Sequence, residues 1–190
     1  MGLAMALEGS ATLFAFDQGV TAAIQALRGP VMTVVMRVFS AMGSTLFVAL
    51  AAVGITAWLW LSGDRVMAVY AGVVIAVGGL LSDLSKLVFL RERPDQLTAL
   101  ISLPGSFSFP SGHTMGSFCL AFVLAYVVHR RGWSAGRQVL AIAALAVYAF
   151  MVGVSRVYLG VHWPSDVVAS WALGGAWVGL SLVVMRFVRG

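Results

Sequence analysis

Charge is what this sequence lacks most. Only 10% of its 190 residues are Asp, Glu, Lys or Arg, against 61% that are hydrophobic, a balance that excludes an ordinary soluble globular domain. Acidic residues are scarcer than basic ones, 7 against 12, for a net charge of +5. That excess does not make a nucleic-acid surface, because the basic residues sit at the ends of apolar runs and never gather on one soluble face. The single cysteine, Cys119, excludes an internal disulfide and, inside an apolar run, reads as a small packed hydrophobe. Internal repeats, low-complexity tracts and long linkers are missing too, so residues 1–190 read as one membrane-embedded domain. With no basic stretch ahead of the first apolar one, a secretory signal is not expected.

What the chain does have is long apolar runs. Charge-free stretches extend from Val38 to Gly63, Val66 to Ser82, Ser111 to Val128, Gln138 to Ser155 and Val167 to Met185, each near the roughly 20 residues a bilayer-crossing helix needs. Lipid offers the backbone no hydrogen-bond partners, so the expected fold is all-α, a polytopic membrane helix bundle with five spans. Residues 1–37 are cut by Glu8, Asp17, Arg28 and Arg37 into pieces too short to cross. They read as an N-terminal amphipathic, interfacial segment; if they did cross, the spans would number six.

The loops set orientation. One side holds residues 91–109 and the 156–165 loop; the other holds residues 62–65, 129–137 and the C-terminal RFVRG. Basic residues tie at six a side: Arg65, Arg130, Arg131, Arg137, Arg186 and Arg189 against Arg28, Arg37, Lys86, Arg91, Arg93 and Arg156. Once Lys86, Arg93 and Arg156 are assigned to chemistry, the side of Arg130 and Arg131 is richer and therefore cytoplasmic. The polar loops then face away from the cytoplasm.

Three polar clusters fall on that side. In KLVFLRERP, residues 86–94, Lys86 and Arg93 are seven residues apart, close to two helical turns, so both project from nearly one face, with Pro94 ending the helix. Two cations can converge there on one anion, although long basic side chains also snorkel to headgroups, and Arg91 reads equally well that way. Asp83, three residues before Lys86, is placed to pair with it; Ser82 and Ser85 read as bonding locally to the backbone. In FPSGHTM, residues 109–115, Ser111 and Gly112 open a helix whose bare N–H groups and partial positive charge suit an anionic oxygen. A plain serine cap would give the same letters, but His113 adds a ring able to act as general acid. In SRVYLGVHWPSD, residues 155–166, Pro164 suits a first helical turn and brings Asp166 within reach of His162. A carboxylate on one ring nitrogen leaves the other free to attack.

Together the clusters put Lys86, Arg93, Arg156, two histidines, a carboxylate and an anion-binding helix start at one membrane level. Uncompensated charge there is costly, and a phosphate group is the simplest partner. The second small pair, Gly175 and Gly179, reads as helix packing, and His129 belongs to the opposite face.

The motifs K-x6-RP (Lys86 to Pro94), PSGH (Pro110 to His113) and SR-x5-H-x3-D (Ser155 to Asp166) resemble those of the type 2 phosphatidic acid phosphatase (PAP2) superfamily of integral membrane lipid phosphatases, over about residues 40 to 190. The resemblance implies hydrolysis of a lipid phosphate without cofactor or metal, through a phosphohistidine. His162 would be the nucleophile, Asp166 would orient it and His113 would protonate the leaving oxygen. Lys86, Arg93, Ser111, Gly112 and Arg156 would hold the phosphoryl oxygens. Family substrates include phosphatidic acid, phosphatidylglycerol phosphate, undecaprenyl pyrophosphate and lipid A phosphates; loops this short favour undecaprenyl pyrophosphate or a phosphatidyl phosphate over a large sugar headgroup. Members commonly have six spans, one more than this chain shows in its sequence. Two rivals are a lipid phosphotransferase using the same histidine and a non-catalytic lipid-binding or transport protein.

Overall fold

The computed structural model describes residues 10–95 and 98–189; Glu8, one of the charges that break up the N-terminal segment, lies outside them. Regular structure among the described residues is entirely helical: α1 (Ala11–Gln25), α2 (Pro30–Met42), α3 (Thr45–Leu61), α4 (Arg65–Phe89), α5 (Gly112–Arg130), α6 (Ala135–Tyr158) and α7 (Pro164–Arg189). Local chemistry marks where these helices begin. Ser10, Ser44, Asp64 and Ser111 each accept a hydrogen bond from a first-turn N–H, and Pro30 and Pro164 stand at helix starts, where a missing N–H costs nothing.

Helices α4 to α7 are each long and apolar enough to cross a membrane. The expected span over Val38 to Gly63 is instead broken. Its first residues belong to α2, and α3 leaves at 50° to it, so among the described residues four helices are long and apolar enough to cross, or five spans if the bent pair crosses as one. The break falls where Gly43 ends α2 and Ser44 caps α3. A Cβ on Gly43 would lie 2.3 Å from a Val152 methyl, so only glycine lets the end of α2 sit on α6, after which Ser44 caps a new helix.

Helix α5 is central, packing against α3, α4, α6 and α7. Leu59, Met67, Val74, Cys119, Leu120, Val123, Val178 and Met185 form its main buried cluster, and Cys119 sits there as a packed apolar group. Gly175 and Gly179 differ from expectation: a Cβ on either would meet nothing within 4 Å, whereas one on Gly174 would lie 2.8 Å from the Phe118 ring. The close α5–α7 approach therefore uses the neighbouring glycine. Helix α1 packs on α6 and α7 with Phe14 and Phe16 exposed and Asp17 fully buried. The segment read as interfacial thus has an inward side.

The fold brings together the C-terminal ends of α4 and α6, the starts of α5 and α7, and the 90–110 segment. Ser170 fastens the two helix starts by donating to the carbonyls of Ser111 (3.1 Å) and Asp166 (2.7 Å).

Candidate active site

Lys86 stands in the last turn of α4, where a cation opposes the partial negative charge of the helix end. Its Nζ donates to Asp83 Oδ1 at 2.7 Å. The helix stops at Phe89, with Leu90 left-handed (φ 48°), so Arg93 does not share a helix face with Lys86 as its spacing suggested. Pro94 disfavours helical backbone at Arg93, and beyond the helix end that side chain reaches across the site. Its guanidinium donates to the carbonyls of Ser106 (2.8 Å), Val161 (2.7 Å) and Phe107 (3.1 Å) and to His162 Nε2 (3.1 Å).

A cavity of about 210 Å³ is lined by Lys86, Arg93, Gly112, His113, Arg156 and His162, with Ser82 in its wall. Three cations face one small space whose walls, among the described residues, hold a single carboxylate, Asp83, already paired with Lys86. Arg156 is buried and donates one Nη1–H to Ser40 Oγ; its Nε, like Ser82 Oγ, has no protein partner among the described residues. Ser82 thus departs from the expected local backbone bond, which Ser85 does make, to Leu81 at 2.7 Å. A Cβ on Gly112 would lie 3.3 Å from Lys86 Nζ and 3.4 Å from Ser82 Oγ. Glycine keeps that gap open for an atom with acceptor capacity. Ser111 stands behind the cavity as the α5 cap, its Oγ accepting from Thr114 Oγ1 at 3.0 Å.

His162 precedes α7, whose third residue is Asp166. The Asp166 carboxylate reaches back to accept the Trp163 N–H at 2.9 Å, as a first-turn acid in a capping box does, and the same oxygen lies 3.3 Å from His162 Nδ1. Arg93 can donate to His162 Nε2 only if that nitrogen is bare, so the proton belongs on Nδ1, facing Asp166. The Nε2 lone pair therefore points toward the cations. Burial pushes the His162 pKa down to about 4, against the pull of Asp166 and with the help of Arg93 and Arg156. Burial likewise lowers Arg93, and Asp166 opposes it.

Because the folded chain holds His162 neutral, between about 4 and the ordinary 6.5 the unfolded chain binds a proton that the folded one does not. The associated stability is complete above the unfolded value and is lost as pH falls through this window. Nitrogen-15 spectra of histidine-labelled protein, with only three histidines to assign, are expected to show His162 protonated on Nδ1 and titrating near 4 rather than 6.5.

Beside the polar cavity runs an apolar cleft of about 750 Å³ between α3 and α4, lined by small residues such as Ala49, Ala52, Gly72 and Ala76. Thr45 and Gly79 line both spaces. The two spaces adjoin there.

The sequence profile described as PAP2 superfamily matches residues 67–189. The chain belongs to the PAP2 superfamily. It is 34% identical over 160 residues to phosphatidylglycerophosphatase B of Bacillus subtilis (strain 168), covering 83% of this chain and 77% of that one. It is 29% identical over 118 residues to undecaprenyl-diphosphatase BcrC of the same organism, covering 59% of this chain and 56%, about half, of that relative's length. A crystal structure described as the first transmembrane PAP2 type phosphatidylglycerolphosphate phosphatase, from Bacillus subtilis, superposes with a TM-score of 0.87 at 28% identity, covering 98% of this chain and 92% of that one. This PAP2 protein is accordingly a membrane phosphatase.

Several polar residues around the PAP2 site were not foreseen. Ser108 is fully buried and donates to Asp166. Ser40 holds Arg156. Arg91, read as equally suited to the headgroups, is buried between Asp17 and Asp166 at 2.6 Å from each. Of these, only Asp17 carried a signal in the sequence, as a carboxylate inside an apolar segment.

Proposed function

We propose that this protein hydrolyses a membrane lipid phosphate or diphosphate at the extracytoplasmic face, through a phosphorylated His162 and without a metal, as a single membrane-embedded domain. The observation that carries the reading is the bare Nε2 of His162 facing the space where Lys86, Arg93 and Arg156 converge. Phosphoryl transfer is mainly positioning and charge stabilisation, and fixed cations with helix-start N–H groups supply both. Lys86, Arg93, Arg156 and the α5 start hold the three phosphoryl oxygens, with Gly112 giving the backbone room to approach and Ser111 fixing that start by its cap. The Nε2 lone pair bonds to phosphorus, the bond from phosphorus to the lipid oxygen breaks, and His113 gives that oxygen its proton. Asp166 stabilises the cationic phosphorylated ring through Nδ1–H. Water then attacks phosphorus, its proton passes to His113, and the N–P electron pair returns to Nε2 as phosphate leaves.

Orientation follows the same accounting of charge. Arg28 donates to Tyr158 O (2.9 and 3.1 Å) and Arg37 to Leu100 O (2.9 Å), so basic residues at the site end serve structure or the cavity. Arg65, Arg130, Arg131 and Arg137 at the other end are left to favour the cytoplasm.

The cavity suits a small phosphate headgroup and the cleft beside it a hydrocarbon tail. That combination supports a phosphatidyl phosphate or a prenyl diphosphate as substrate, and relatives named for both chemistries agree with it. The deciding experiment measures phosphate release by detergent-purified protein with chelator present, on phosphatidic acid and on a prenyl diphosphate. Chelator-resistant release that His162→Ala abolishes is expected; release by wild type that chelator stops, or that survives in the variant, contradicts the reading. Filling the cleft tests the tail's place. Ala76→Phe is expected to lower kcat/KM for a long-chain lipid phosphate by about tenfold, the equivalent of two buried methylenes, with a much smaller loss on a short soluble phosphate ester.

A further inference from the structure

Helix α1 has one buried residue among its 15, and that residue is an aspartate. Amphipathic helices usually attach through apolar side chains. Here the inward group is charged, and both of its oxygens are used. Asp17 Oδ1 accepts the Ser165 N–H at 2.8 Å; Oδ2 accepts Ser165 Oγ at 2.7 Å and Arg91 Nη2 at 2.6 Å. Arg91 Nη1 in turn donates to Asp166 Oδ1 at 2.6 Å and to Ser165 Oγ at 2.7 Å. The other Asp166 oxygen accepts from Ser108 Oγ and the Trp163 N–H and faces His162 Nδ1. A buried chain of charge thus runs from Asp17 through Arg91 and Asp166 to His162.

Burying such groups is expensive, and well-packed apolar residues often stabilise a fold as well or better. A role in chemistry accounts for the expense. Around His162 stand Arg93 from the 90–110 segment, Arg156 from α6, Lys86 from α4 and His113 from α5, against Asp166 alone from α7. Among the described residues Asp166 is therefore the only carboxylate in contact with the ring, and Arg91 neutralises part of it. Asp17 shares the Arg91 charge and so returns some of that negative charge to Asp166.

We infer that Asp17 and Arg91 are positioning residues for the reaction: α1 completes the site by holding Arg91 between two carboxylates, so that Asp166 keeps its orientation and enough charge to stabilise the cationic ring formed when Nε2 bonds phosphorus. This rests on His162 being the nucleophile. Helix α1 lies outside residues 67–189 matched by the family profile, so the proposal gives catalytic consequence to a segment beyond the shared motifs.

Two variants of the full-length protein in detergent separate this role from a structural one. Asp17→Asn keeps the shape and removes the charge, so Arg91 acts on Asp166 alone. Its kcat is expected to fall about tenfold, one pKa unit's worth of charge stabilisation, with KM unchanged and with Asp17→Glu recovering part of the loss. The double variant Asp17→Asn with Arg91→Gln removes an acid and a base together and frees Asp166 from its cation, leaving the His162 ring as the group it faces. The nitrogen-15 titration midpoint of His162 is expected to rise in it, from about 4 toward 6.5. An unchanged midpoint in the double variant, or a wild-type kcat per folded molecule in Asp17→Asn, overturns the proposal. The spectra need no turnover, so a shifted midpoint in a protein that releases no phosphate would uphold the charge network while rejecting the phosphatase chemistry.

Discussion

Asp166→Asn is expected to lower kcat by about 10³ to 10⁴-fold with little change in KM, as removing the orienting carboxylate does in other carboxylate–histidine pairs. Asp166 acts on His162 in two ways that asparagine cannot copy. In the proposed mechanism its charge favours the cationic ring of the phosphoenzyme, and its acceptor oxygen, 3.3 Å from Nδ1, keeps the proton on that nitrogen. An asparagine amide turned toward the ring would donate to Nδ1 and drive the proton to Nε2, which removes the nucleophilic lone pair from the cavity. On the proposed reading, substrate binding depends on Lys86, Arg93 and Arg156, which the substitution leaves in place. The split between kcat and KM is therefore the diagnostic, read beside thermal unfolding to show that the loss is not one of folded protein.

Arg156→Ala is expected to cost about 10³-fold in kcat/KM, the lower end of what an arginine contributes to phosphoryl transfer. The side chain is buried and held by Ser40, while its Nε has no protein partner among the described residues. A buried N–H aimed nowhere is costly unless a ligand completes it, and a phosphoryl oxygen would. Lysine is not expected to substitute, because its single ammonium cannot keep the Ser40 bond and present a second donor along the same plane. Steady-state kinetics of Arg156→Ala and Arg156→Lys on one lipid phosphate check both statements.

Local pairs within one turn were legible from sequence. Asp83 and Lys86 lie three residues apart within one helix, and His162 lies four before Asp166 across the start of α7, where the first-turn carboxylate reaches back; both pairs are formed. Long apolar runs gave the helices for the same reason. What depends on contacts between distant residues was hidden. The bend between α2 and α3 falls at Gly43, which packs on the distant Val152, and no charge interrupts the run from Val38 to Gly63 to announce it. Arg91 and Arg93 look alike in the sequence, yet one is paired with Asp166 behind the site and the other enters the cavity, because the helix ends at Phe89 and the chain beyond it no longer follows helical spacing. Asp17 is 148 residues from its partner Ser165, beyond the reach of any spacing argument.

The central claim is that phosphate passes through His162. The direct test reacts the protein, with chelator present, with a phosphate ester whose leaving group needs no proton, in wild type and in His113→Ala, where the step that needs water to lose a proton is slowed. Quenching in alkali and mapping the label should show phosphate on the peptide containing His162, stable to base and lost in acid, accumulating in His113→Ala and absent from His162→Ala. Rapid release of the leaving group with no label on that peptide, or label on another residue, would contradict the account.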